Sequence, residues 1–67
     1  MAKIQLNGRK VKVKTPISLE EILKKYNLAS KQVAIELNGI IIPKSNFKKK
    51  QIKKDDKIEV VHFIGGG

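Results

Sequence analysis

The sequence predicts an α+β fold in which one helix packs across one face of a mixed sheet of four to five strands. Two Asn-Gly pairs, Asn7-Gly8 and Asn38-Gly39, each follow a short segment of alternating apolar and polar residues. A helical pattern lies between these two regions, and a strand-like run at residues 58–63 comes close to the C-terminus. This order of elements predicts that the last strand lies centrally in the sheet, beside the first.

The first two strands are predicted from alternation on both sides of a turn. Residues 3–7 and residues 10–14 each alternate apolar and polar side chains, as half-buried strands do. The pair Asn7-Gly8 lies between them, and Asn-Gly best tolerates the positive φ angles of a two-residue hairpin turn. The sequence therefore predicts an N-terminal β-hairpin.

A helix is predicted to begin directly after Ser18. Glu21 follows three residues later, and this Ser-x-x-Glu spacing lets each side chain accept a hydrogen bond from a free backbone amide of the other residue. Apolar residues then recur at helical spacing, namely Leu19, Ile22, Leu23 and Tyr26. We expect Asn27 to end the helix in a left-handed conformation.

The second half of the chain contains a third strand at residues 33–37 and a short fourth strand at residues 40–42. Pro43 limits the fourth strand to the edge of the sheet, because proline cannot donate to a central ladder of hydrogen bonds. Residues 45–54 show no regular pattern, and Asp55-Asp56 is predicted to form the turn before the last strand.

The last strand, residues 58–63, has apolar side chains on both of its faces. Alternation places Ile58 and Val60 on one face and Val61 and Phe63 on the other. We expect Ile58 and Val60 to face the helix, which leaves Val61 and Phe63 outward as a contact surface. The reverse assignment stays open, because alternation alone does not choose between the two faces.

The charge of the chain bears on its solubility and its partners, and a lysine-rich surface that simply contacts water is the commonest explanation of such a charge. The chain has 15 Lys and Arg against 6 Asp and Glu, a formal net charge of +9. Such a charge fits an acidic protein surface, a nucleic-acid backbone, or a surface that simply contacts water. The lysines within residues 48–57 come without an aromatic stacking platform or a glycine-rich loop. We therefore expect no nucleic-acid partner and keep RNA binding as the weaker alternative.

The residue inventory does not indicate an enzyme, a metal site or a membrane segment. His62 is the single histidine, cysteine is missing, and no acid or nucleophile can be placed beside His62 from the sequence. A metal site needs three or four converging ligands, whereas the carboxylates here are scattered. We find neither an apolar run of about 20 residues nor a signal-peptide pattern, so we expect a cytoplasmic protein.

The chain ends in three glycines, Gly65, Gly66 and Gly67. Glycines directly after a strand have great backbone freedom and do not extend a sheet well, so we expect a thin arm at residues 65–67 after a domain at residues 1–64. Without Cβ atoms near the terminal carboxylate, a nucleotide and a nucleophile can approach it from any side. A frayed terminus is the plain alternative for a triglycine taken alone.

Taken together, the motifs resemble the ThiS family of ubiquitin-like sulfur carriers, which act in thiamine biosynthesis. The resemblance covers the whole chain and is carried by three stretches: Ile4-x-Leu6-Asn7-Gly8, residues 33–43, and residues 55–67. It implies a β-grasp fold and a protein that is modified by enzymes rather than an enzyme. The small subunit of molybdopterin synthase, which has the same fold and glycine tail, is the alternative family.

The resemblance also implies a reaction sequence. A ThiF-like adenylyltransferase uses ATP to adenylate the carboxylate of Gly67, a sulfur-donating enzyme supplies sulfur, and the resulting thiocarboxylate serves a ThiG-like thiazole synthase. The chain itself binds no cofactor in this scheme. We expect Val61, Phe63 and Ile64 to contact these partners, because they directly precede the tail.

Overall fold

A five-stranded mixed sheet carries one α-helix across one of its faces, which confirms the predicted fold class. The computed structural model describes residues 1–28 and 33–62. The strands are β1 (Ala2–Leu6), β2 (Arg9–Val13), β3 (Val33–Leu37), β4 (Ile40–Ile42) and β5 (Lys57–His62), and the helix is α1 (Leu19–Lys25). A 3₁₀ turn at Lys44–Asn46 begins the long connection between β4 and β5.

The strand order is β2-β1-β5-β3-β4, so the last strand lies in the centre, as predicted. β5 runs parallel to β1 and antiparallel to β3. β4 lies at the edge, as Pro43 predicted. The parallel neighbour of β5 is the first strand of the chain, so the C-terminal strand holds the two halves of the chain together.

Both hairpin turns have the mirror-image geometry that Asn-Gly pairs favour. Asn7 and Gly8 have φ angles of 50° and 81°, and Asn38 and Gly39 have φ angles of 53° and 83°. Because Asn7 belongs to the turn, β1 and β2 each begin and end one residue earlier than the alternation predicted.

Hydrogen bonds at both ends define the helix. The amide of Ser18 donates to Oε1 of Glu21 at 3.0 Å, and the amide of Glu21 donates to Oγ of Ser18 at 3.1 Å, which confirms the predicted cap. At the other end, Asn27 has a φ of 58°, and the amide of Leu28 donates to the carbonyl of Leu23 at 2.7 Å. This left-handed ending was also predicted.

The core lies between α1 and the sheet. The helix contributes Leu19, Ile22 and Leu23, which are almost completely buried. The sheet and the connections supply the other side chains of the cluster: Ile4, Leu6, Val13, Ile17, Ile35, Leu37, Ile52 and Ile58. Within the described ranges, no helix has the length and apolar character that a membrane span requires.

Candidate docking face and C-terminal tail

β5 is the last described element before the C-terminal residues of the chain. Its pairing with β3 covers five residue pairs, from Val33 opposite His62 to Leu37 opposite Ile58. Its pairing with β1 covers two, Gln5 with Lys57 and Leu6 with Ile58. The predicted tail residues Gly65, Gly66 and Gly67, and the predicted contact residues Phe63 and Ile64, lie outside the described residues.

The side chains of the two turn asparagines hold β5 from both sides. Oδ1 of Asn38 accepts a hydrogen bond from the amide of Lys57 at 2.9 Å, at the start of β5. Oδ1 of Asn7 accepts one from the amide of Val60 at 2.8 Å, beyond the last residue pair of the β1–β5 ladder. The sequence indicated only the turn role of these asparagines, because these bonds join residues that are far apart in the chain.

Asp56 organises the turn that leads into β5. Its Oδ2 accepts a hydrogen bond from the amide of Lys53 at 2.7 Å, and its Oδ1 accepts one from Nδ2 of Asn38 at 3.0 Å. Its backbone carbonyl accepts a bond from the amide of Gln5 at 2.9 Å. Asp55 has a φ of 68°, as a turn residue does. The predicted turn at Asp55-Asp56 is confirmed, and it anchors the start of β5 to both neighbouring strands.

The two faces of β5 have different environments. Ile58 is completely buried, and Val60 is partly buried against the core, so this face points toward the helix. Val61 is 44% exposed, and Glu59 is also exposed. The predicted assignment of Ile58, Val60 and Val61 is therefore confirmed, and the reverse assignment is wrong. The prediction for Phe63 falls outside the described residues.

The face of the sheet opposite the helix, which we call the open face, carries a small apolar and acidic region beside Val61. Ala34 lies directly opposite Val61, and Glu36 lies opposite Glu59 on one side and Ile41 on the other. Ile41 is 65% exposed. Sequence reasoning missed these positions, although their alternation with buried Ile35 was a usable signal for Ala34 and Glu36.

Lysines dominate the surface of the connection before β5, and the first residue of β5 is also a lysine. The cluster that the sequence indicated is exposed at each of its positions: Lys48, Lys49, Lys50, Lys53, Lys54 and Lys57. In residues 1–28 and 33–62, no three His, Cys, Asp or Glu side chains lie close enough together to hold a metal ion. Among these described residues, the surface features that a partner protein can contact are therefore the lysine charges and the exposed apolar side chains.

Comparison with known proteins places this geometry in a family. The model of the ThiS family matches residues 3–67, which is nearly the whole chain. The chain belongs to the ThiS family. The match includes the five strands, with β5 in the centre of the sheet, and the C-terminal triglycine.

Individual relatives support the same assignment. The chain is 40% identical over 65 residues to the sulfur carrier protein ThiS of Bacillus subtilis, covering 96% of this chain and 98% of that protein. A crystal structure of the thiamine biosynthesis protein ThiS from Geobacter metallireducens superposes with a TM-score of 0.84 at 28% identity, covering 97% of this chain and 99% of that one. Both relatives match over nearly their full length.

A third relative is a larger protein. The thiazole synthase of Magnetococcus marinus is 38% identical over 65 residues, covering 97% of this chain but only 20% of that protein. A segment similar to this chain therefore occurs within the same polypeptide as a thiazole synthase.

Proposed function

We propose that this protein is a sulfur carrier of thiamine biosynthesis and that the C-terminal carboxylate of Gly67 carries the sulfur. The family match over residues 3–67 is the observation that supports this proposal most directly. The fold supports it as well, because β5 is held on both sides and runs toward the C-terminal triglycine. A last strand that is held on both sides and is followed in the sequence by three residues without side chains suits the delivery of a reactive terminus into a narrow active site.

The chemistry follows from the groups that the chain has. With no cysteine, the chain can carry sulfur on a carboxyl group and not on a thiol. A carboxylate lacks a good leaving group, so one oxygen of Gly67 first attacks the α-phosphorus of ATP and displaces pyrophosphate. Hydrosulfide, supplied by the sulfur-donating enzyme, then attacks the acyl carbon, displaces AMP and loses its proton. The product is a thiocarboxylate in which one sulfur atom has replaced one oxygen atom.

The proposal assigns catalysis to partner enzymes and makes this chain their substrate. A ThiF-like adenylyltransferase binds the ATP, a sulfur-donating enzyme supplies the sulfur, and a ThiG-like thiazole synthase receives it; the carrier binds no cofactor. The similarity to a segment of a thiazole synthase supports the last partner. Because activation consumes ATP, the proposal places the carrier in the cytoplasm.

The docking surface is part of the same proposal. Val61 is exposed on the open face of the sheet, close to the end of β5. Together with Phe63 and Ile64, which follow it in the chain, Val61 is proposed to contact the partner and to direct Gly67 into the active site. An exposed aliphatic residue next to the segment that must be delivered is the observation that favours this surface.

Mass spectrometry of the intact protein tests the proposal. After incubation with ATP, the adenylyltransferase and a sulfur source, we expect the mass to rise by the difference between sulfur and oxygen, located in the C-terminal peptide. A variant with one alanine added after Gly67 is the matched control, because its carboxylate lies one residue too far. An unchanged mass of the wild-type protein, with partners that are active on their own carrier, contradicts the proposal.

A further inference from the structure

Two glutamates face each other on the open face of the sheet. Glu36 in β3 lies directly opposite Glu59 in β5. Residues paired in this way have Cβ atoms about 5 Å apart, and like charges at this spacing destabilise a sheet. Among the described residues, neither carboxylate forms an ion pair, although the chain has 15 Lys and Arg. From this spacing we expect the two carboxylates to repel each other in the free protein, and their negative charge is open to a partner.

The surroundings of this pair favour contact with another protein. Exposed Ile41 flanks Glu36 on β4, and Val61 and Ala34 form the adjacent row of the sheet. A shallow depression runs along the two carboxylates and is lined by Glu36, Asn38, Gly39, Lys57 and Glu59. When apolar side chains cover such a place and exclude water, the attraction between a carboxylate and a cation becomes stronger.

The other half of the open face has the opposite charge. Gln5 on β1 lies between Lys57 on β5 and Lys10 on β2, and Lys3 lies opposite Lys12. These lysines are exposed. The open face thus has a basic part over β1, β2 and the start of β5, and an acidic, apolar part over β3, β4 and the rest of β5. A face with two signs of charge fixes the rotation at which a complementary partner can dock.

We propose that thiazole synthase places an arginine or lysine side chain between Glu36 and Glu59 when it receives the tail, with apolar side chains covering Ile41 and Val61. This inference rests on the proposed carrier function. Charge complementarity defines the contacting group, since a guanidinium has several donors in a planar fork and can bond two carboxylates at once. Thiazole synthase is the proposed occupant because a segment similar to this chain occurs in the same polypeptide as that enzyme in Magnetococcus marinus. The partner's cation also offsets the repulsion between Glu36 and Glu59. The electrostatic energy of the two carboxylates is therefore lower in the complex than in the free protein.

Binding measurements with the carrier and the thiazole synthase of the same organism test this inference. We compare the wild type with Glu36→Gln, Glu59→Gln and the double variant by titration calorimetry. The matched control for each single variant is Glu20→Gln, which changes the net charge by the same one unit but lies on α1, on the other side of the sheet. We expect Kd to rise about tenfold or more for the double variant and to stay at the wild-type value for Glu20→Gln.

A stability measurement on the same variants separates docking from folding. We expect the thermal midpoint of the double variant to equal or exceed that of the wild type, because the substitution removes a repulsion. A lower midpoint gives the glutamates a structural role and overturns the inference.

Three binding outcomes also overturn the inference. The first is an unchanged Kd for the double variant, the second is a wild type that does not bind thiazole synthase, and the third is a loss of affinity only for the adenylyltransferase. The thiocarboxylate mass assay of the wild type is independent of all three. It tells whether the carrier function fails or only this assignment of its docking face.

Discussion

Asn7 and Asn38 occupy equivalent positions in the two hairpin turns, yet their side chains hold β5 at different points. Asn38 accepts a bond from the amide of Lys57 where β5 begins, and Asn7 accepts one from the amide of Val60 closer to the tail. β1 ends at Leu6, so the Asn7 side chain continues the contact between β5 and the first hairpin beyond the ladder. Asn7 is therefore a positioning residue for the last part of β5.

Glycine substitutions at these two asparagines separate the turn role from the side-chain role. Glycine keeps the positive φ of the turn, while the loss of the amide side chain removes one hydrogen bond at Asn7 and two at Asn38. We expect Asn7→Gly and Asn38→Gly each to lower the free energy of unfolding by about 1 to 2 kcal/mol in urea titrations. Only Asn7→Gly should accelerate hydrogen exchange at the amide of Val60.

Asn7→Asp supplies the conservative control, because a carboxylate oxygen also accepts a hydrogen bond from an amide. This variant should restore the protection of the Val60 amide against exchange. Equal protection of Val60 in the wild type and in Asn7→Gly contradicts the positioning role.

At the scale of secondary-structure elements, β5 combines a structural face with a surface face. Ile58 is completely buried beneath α1, whereas Val61 is 44% exposed on the open face. The two faces of one strand therefore serve different purposes. One stabilises the domain, and the other is available to partners close to the tail.

Alanine substitutions on the two faces of β5 test this division. Ile58→Ala removes buried methyl groups and leaves a cavity, so we expect a loss of about 2 to 5 kcal/mol in the free energy of unfolding. Val61→Ala should cost less than about 1 kcal/mol, because the side chain is already exposed to water. Urea unfolding measures both values. Equal losses in the two variants contradict the assignment of the faces.

At the scale of the whole molecule, charge is distributed unevenly over a small surface. The chain has a formal charge of +9, and the connection before β5 contains the exposed run Lys48, Lys49 and Lys50. Exposed charges of one sign act mainly on the rate at which partners meet, because they attract an opposite surface before contact is made. We therefore relate the lysine cluster to the encounter with a partner and not to the stability of the fold.

Neutralising this run tests its role in association. We expect Lys48→Gln, Lys49→Gln and Lys50→Gln together to lower the association rate constant with the adenylyltransferase at low salt by about tenfold, with little change in the dissociation rate. Adding salt should slow the wild type and narrow the difference, because ions screen exposed charges. Stopped-flow mixing measures these rates. Equal rates at low salt, together with tight RNA binding by the wild type, favour the nucleic-acid alternative.

Local chemistry explains why much of the fold was predictable from the sequence alone. The Asn-Gly turns, the Ser18–Glu21 cap and the limit that Pro43 sets on β4 each depend on residues within a few positions of one another. These features arise from backbone angles and from local hydrogen-bond donors and acceptors, and the types of the neighbouring residues determine both. The triglycine and the resemblance to a family likewise came from the sequence.

Only the tertiary structure decided which residues from distant segments are neighbours. Alternation left the buried face of β5 open, and the position of α1 settled it for Ile58 and Val61. The bond from Val60 to Asn7 spans 53 positions, and the opposition of Glu36 and Glu59 depends on the register between β3 and β5. Register follows from the packing of the whole core, since a slip of one residue turns every side chain of a strand to the other face.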